Sequence, residues 1–190
     1  HTIEAVFAKV EAKPTNPFVD VAEGTYYYDP VLWAVANGIT SGVDATHFEP
    51  EGTCTRAHAV TFLWRASGQP EPKTTNMPFR DVKPGSYYEK AVLWAVENKI
   101  TNGTGTTTFS PDENCTRAQI VTFLWRSEGE PYASDSNNPF TDIASDYYMD
   151  AVFWAVKEGI TNGTTPTTFS PNERCTRAQI VTFIYRAMVS

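Results

Sequence analysis

The sequence holds little from which a catalytic or nucleic-acid-binding site could be built. No stretch of eighteen consecutive apolar residues occurs and no charged leader precedes an apolar core, so the chain as read has neither a membrane-spanning helix nor a signal peptide. Lys and Arg number 15 against 22 Asp and Glu, a formal charge of −7, and the basic residues form no cluster. That balance excludes a phosphate-gripping groove for nucleic acid and disfavours simple adhesion to an anionic surface. Enzymes need a nucleophile, an acid–base pair or a metal cluster in one constellation. Here there is no GxSxG, HExxH or phosphate loop, no calcium-loop run of Asp and Asn, and histidine occurs only three times. The expectation is a chain that is not an enzyme and uses no cofactor or metal.

Cysteine is equally sparse. Cys54, Cys115 and Cys175 are odd in number, so a closed disulfide framework would leave one unpaired, and none belongs to a CxxC or CxH pair of the kind zinc needs. Each reads as a small buried hydrophobe beside a helix start.

What is present favours a packed structure. Apolar residues make up 41% of the 190 and aromatics 13%, against 19% charged. The apolar residues recur with a period. Phe18, Phe79 and Phe140 are 61 residues apart, and Trp33, Trp94 and Trp154, like Arg56, Arg117 and Arg177, follow at 61 and 60; Cys115 to Phe123 is identical to Cys175 to Phe183. This divides the chain into three copies over residues 14–73, 74–134 and 135–190, preceded by 1–13, where Ile3, Ala5 and Phe7 alternate with polar residues as in a strand ending an upstream module.

Each copy reads as two helices joined by a turn-rich loop. The first follows a Phe-x-Asp entry; in the second copy Tyr88, Val92, Ala95 and Val96 fall at i, i+4, i+7 and i+8, a stripe facing a core. Ser86 with Glu89 suggests a capping box, Asp146 a cap in the third copy, and Pro30 a later start in the first, with Asp29 as cap and Pro30 at N1. Gly38 and Gly159 suit the left-handed residue that closes a helix, a task Lys99 must perform in the second copy. The second helix opens on Thr55, Thr116 or Thr176 as N-cap, with Gln119 and Gln179 returning the bond in copies two and three. Its later residues are apolar on nearly every side, which predicts an all-α fold whose second helices form a central three-helix bundle.

The succession Phe-x-Asp, Tyr-Tyr, Trp-Ala-Val, Gly-Ile-Thr, a Thr-rich turn, Phe-x-Pro and Cys-Thr-Arg-Ala resembles the S-layer homology family, three times over residues 18 to 187. The resemblance implies a monomeric chain forming a pseudo-threefold trimer on a bacterial cell surface, outside the cell. It further implies grooves that bind secondary cell-wall polysaccharide, or another peptidoglycan-linked glycan, often ending in a pyruvylated sugar. It makes Arg56, Arg117 and Arg177 the principal groove residues. The family's usual Glu in the second helix is replaced by His58, Gln119 and Gln179, and the aliphatic residue before the Thr by Cys.

Bland readings stand beside these. Arg at the first position of a helix meets the positive end of the dipole, costing roughly 0.3 to 1 kcal/mol when exposed, and so wants a partner. An ion pair with Asp20, Asp81 or Asp142 would fix one copy to the next; a sugar carboxylate would suit the planar fork, and Asp could orient Arg for it. Trp33, Trp94 and Trp154 suit stacking on a sugar ring or simply the core. Gly42, Gly103 and Gly163 would admit a ligand to backbone N–H groups, or merely make tight turns. His47 and His58 read as a solvated loop and a helix-start histidine. The first copy, with Ser41 where the others have Asn, promises an altered or weaker groove. The alternative to a glycan-binding anchor is a structural or protein-interaction module of a surface protein.

Overall fold

The computed structural model describes residues 15–134, 138–144 and 146–189; the strand predicted near Ile3 lies outside them. Among the described residues six helices follow one another: α1 (Tyr28–Ala36), α2 (Arg56–Ala66), α3 (Glu89–Glu97), α4 (Arg117–Ser127), α5 (Met149–Lys157) and α6 (Arg177–Val189). Among the described residues only isolated bridges, and no strand, accompany them. No described helix is long and apolar enough to cross a membrane.

The second helices, α2, α4 and α6, touch one another in a central bundle. Their apolar surfaces are wide enough for this: Val60, Leu63, Ile120, Val121, Leu124, Ile180 and Ile184 are all within 1% of complete burial. Each such side chain contributes roughly 1.5 to 3 kcal/mol of transfer free energy. The outer helices do not pack chiefly on the second helix of their own copy. Instead α3 lies on α2, α5 on α4 and α1 on α6, so each prong is built from two consecutive copies and the last is closed by the first.

The backbone follows the same cyclic rule. An N–H at the start of a helix has no acceptor within that helix. Here the N–H groups of Arg56 and Ala57 donate to Glu113 and Pro111, those of Arg117 and Ala118 to Glu173 and Pro171, and those of Arg177 and Ala178 to Gly52 and Pro50. At the centre, Cys54 N–H donates to Cys175, Cys115 to Cys54 and Cys175 to Cys115, at 2.8 to 3.1 Å. The three free thiols are completely buried there, which accounts for a small apolar residue at each position. Burial pushes Cys54 and Cys175 up to about 12 and Cys115 well above the ordinary thiol range.

The predicted caps of the second helices form. Thr55 and Thr116 accept from the N–H of His58 and Gln119, whose side chains accept in return. Thr176 and Gln179 do the same. Gly38, Lys99 and Gly159 close the outer helices at φ of 67°, 59° and 70°. The starts of the outer helices differ from expectation. Pro30 is the third helical residue, behind Tyr27 as N-cap, so α1 starts in register with α3 and α5. Within the first turn an N–H would have no helical acceptor, and proline's lack of one is harmless. Ser86 and Asp146 do not cap through their side chains: the N-caps are Tyr88 and Tyr148, and the Glu89 carboxylate instead accepts from Gly85 N–H at 2.7 Å.

Candidate functional site

Because the copies interlock, three grooves open between them, with volumes of about 400, 360 and 390 Å³. Each is lined by all three copies. Groove A takes Arg56 from copy one, the loop Thr101–Thr104 with Gln119, Phe123 and Arg126 from copy two, and Tyr147 from copy three. Groove B advances every part by one copy: Arg117, then Thr161–Thr164 with Gln179, Phe183 and Arg186, then Tyr26. Groove C completes the cycle with Arg177, then Thr40–Val43 with His58, Phe62 and Arg65, then Tyr87.

The arginine at each helix start is buried, at 2, 3 and 6% exposure for Arg56, Arg117 and Arg177. Its Nε donates at 2.8 Å to a carbonyl of the next copy, that of Phe109, Phe169 or Phe48. The guanidinium also sits over the ring of that same phenylalanine, 4.8 Å from its centroid, and over Phe123, Phe183 or Phe62 at 5.4 to 5.6 Å. Burial pulls all three below the usual arginine range, although arginine keeps its charge in proteins.

The ion pair expected with Asp20, Asp81 and Asp142 does not form among the described residues. Those carboxylates accept from loop N–H groups, Asp81 from Phe109 and Ser110, Asp142 from Phe169 and Ser170, and Asp20 from Phe48 and Glu49, at 2.7 to 3.1 Å. The link between copies therefore exists in another form: aspartate fixes the loop, and the carbonyl of that loop holds the arginine. A backbone acceptor tolerates burial at lower desolvation cost than a second charge.

Two of the three guanidinium groups keep one nitrogen unused. Nη2 of Arg56 and of Arg177 is buried without a partner, whereas Nη2 of Arg117 donates to the Thr161 hydroxyl at 3.3 Å. In groove C the buried Thr61 hydroxyl is also without one, as is that of Thr182 in groove B.

Gly42, Gly103 and Gly163 line the grooves, but their form is dictated by the fold. Each has φ between 81° and 86°, and a Cβ on Gly103 would lie 2.4 Å from the Thr108 carbonyl and 2.5 Å from the Phe79 ring. Their N–H groups already donate to the hydroxyls of Thr40, Thr101 and Thr161. The tryptophans are not brought to the grooves. Trp94 and Trp154 are at least 93% buried in the core, and Trp33 packs edge-on against Tyr185 at 5.4 Å. His47 sits on an exposed turn against Asp44, whose carboxyl is held at about 2 chiefly by the Thr46 N–H. His58 is more than a helix-start residue. It lines groove C with its ring stacked on Tyr87.

Two sets of groove residues escaped the sequence reading. Arg65, Arg126 and Arg186 each donate through Nη1 to the carbonyl of Ile39, Ile100 or Ile160 at 3.0 to 3.3 Å, which places a second guanidinium in every groove. Tyr26, Tyr87 and Tyr147 are half exposed at its mouth, at 52 to 53%. Both sets recur at 61 and 60 residues, the signal that would have found them.

The geometry offers cationic donors, amides or an imidazole, and an aromatic face. The S-layer homology domain profile matches residues 17–60, 78–121 and 139–181, more than half of the chain and once in each copy. The chain belongs to the S-layer homology family. A cellulosome-anchoring protein of Acetivibrio thermocellus is 26% identical over 182 residues, covering 91% of this chain and 39% of that protein. The surface-layer 125 kDa protein of Lysinibacillus sphaericus is 29% identical over 190 residues, 97% of this chain and 16% of its own. An endoglucanase of Bacillus sp. (strain KSM-635) is 37% identical over 117 residues, 62% of this chain but 12% of the enzyme. The chain thus spans well under half the length of these relatives, and its three S-layer homology repeats mark it as a cell-surface anchoring module.

Proposed function

We propose that this module anchors its protein by binding an anionic cell-wall polysaccharide, of the pyruvylated class, in grooves A, B and C. The observation that carries the reading is the buried guanidinium with an unused donor in grooves A and C, beside a second arginine and a half-exposed tyrosine. A bidentate donor set matches a carboxylate, and an aromatic face matches the apolar face of a sugar ring. Three grooves on one module add avidity where the polymer presents several sugars. The −7 charge of the chain makes such recognition local.

The test is retention on native wall glycan, before and after acid removal of its pyruvate ketals. Binding is expected before and not after. Replacing Tyr26, Tyr87 and Tyr147 by Ala together is expected to weaken it at least about tenfold, or 1.4 kcal/mol, in a protein that still melts cooperatively. Equal binding to ketal-free glycan would refute the anionic ligand. The contrary reading, a structural module whose arginines only lock the copies, draws on the three Nε–carbonyl bonds. It predicts no glycan binding at all, with Arg117→Ala lowering only the melting temperature.

A further inference from the structure

Groove C differs from its two counterparts in chemistry as well as in letters, and the difference centres on His58. In grooves A and B the same position holds Gln119 and Gln179, whose amides do not titrate. The His58 ring lies nearly parallel to Tyr87, centroids 5.8 Å apart at 25°, and to Phe62, at 6.3 Å and 24°. Nδ1 faces the Thr55 backbone N–H at 3.4 Å and the Thr55 hydroxyl at 3.1 Å. The capping bond from Thr55 N–H requires an unprotonated Nδ1, so the proton of the neutral ring is on Nε2. Around it stand Arg177 at the start of α6, Tyr87 ahead of α3 and Asp112 ahead of α4, while Glu49 and Arg65 line the same groove.

In the free protein this setting disfavours a charged ring. Burial lowers His58 below the ordinary imidazole range, Arg177 lowers it further, and Asp112 opposes them weakly. The groove is nonetheless built to take negative charge. Arg177 is 6% exposed and Thr61 1%, yet Nη2 of one and the hydroxyl of the other have no partner. A carboxylate engaging Arg177 would offset the repulsion that keeps His58 neutral. Protonated Nδ1 would exchange its capping bond from Thr55 N–H for a donation to the Thr55 hydroxyl, 3.1 Å away.

We infer that groove C binds its carboxylate-bearing sugar with uptake of a proton by His58, making it the acid-favoured groove of the three. The inference rests on the anionic-glycan reading above and adds to it a division of labour. By linkage, a ligand that raises a pKa binds more tightly as pH falls through the bound value, and the gain stops below the free value. A rise of about one unit gives an affinity gain of roughly tenfold. Grooves A and B, with glutamine in that place, hold their affinity constant over the same range.

The probe is a methyl glycoside bearing a 4,6-pyruvate ketal, with its methyl ester as the neutral control. Ring signals of His58, assigned by comparison with His58→Gln, are followed by NMR from pH 8 to pH 5 with and without probe. The expected result is an upward displacement of the His58 titration with the ketal and none with the ester. Calorimetry should then show a component that tightens severalfold from pH 8 to pH 5.5, approaching roughly tenfold only below the free His58 value, and that is lost in His58→Gln. That substitution supplies the residue the other copies already carry, and its thermal melt reports whether the fold is kept. Binding that leaves the His58 titration unmoved, or pH dependence unchanged in His58→Gln, overturns the inference alone. A ketal that binds in no groove overturns the anionic-glycan reading beneath it as well.

Discussion

Replacing Gly103 by alanine separates what the fold demands of the groove glycines from what a ligand would demand. The residue has φ of 81°, and its new Cβ would stand 2.4 Å from the Thr108 carbonyl and 2.5 Å from the Phe79 ring. Left-handed backbone costs a non-glycine residue about 1 to 2 kcal/mol. Overpacking adds roughly 1 to 3, and here the nearest atom is backbone and cannot rotate aside. The sum is about 2 to 5 kcal/mol. Gly68, after α2, provides the control: its φ is 86°, but nothing lies within 4 Å of its Cβ position, so only the backbone component applies. For a domain of this size each kcal/mol shifts the melting temperature by about 2 to 4 °C. Calorimetry of the ligand-free protein should therefore show a fall of several to about twenty degrees for Gly103→Ala and of only a few for Gly68→Ala. Equal melting temperatures would refute the argument and return the glycine to the service of a ligand.

Two further outcomes follow from the interlocked topology and the axial cysteines. A chain ending at Ala133 loses α5 and α6, and with them the partners of α4 and α1; it should show no cooperative melt by circular dichroism, whereas independent copies would melt in proportion to length. Cys54, Cys115 and Cys175 are fully buried with raised pKa values, so iodoacetamide at pH 8 should label none in the native protein and all three in urea, and native labelling would show the axis to be open.

Much of this architecture was legible because it is written locally. The Thr-x-x-Gln caps, the left-handed closures at Gly38 and Gly159 and the apolar girth of the central helices each follow from residues within one turn of one another. The pairing of α3 with α2 was not legible, since a 61-residue period says which residues are equivalent and not which copy they touch. The partner of Arg56 was hidden for a related reason. It is the carbonyl of Phe109, a group every residue carries, whereas sequence reasoning looks for a carboxylate. Tyr26, Tyr87 and Tyr147 read as part of an apolar entry to a helix, and only the neighbouring copies turn one face of each into a groove wall.

Interlocking joins the groove chemistry to the fold. Every groove draws side chains from all three copies, so a ligand in any one of them spans the contacts that close the ring. The same guanidinium that would meet a sugar carboxylate already holds a carbonyl of the next copy at 2.8 Å. The unfolded chain has no such constellation, so ligand at a hundredfold excess over Kd would add about 2.7 kcal/mol to the stability of the closed ring for each filled groove. On the anionic-glycan reading a wall-bound module would thereby be harder to open than a free one. Asp20, Asp81 and Asp142 set the loops, and the loop carbonyls hold the arginines at the groove walls.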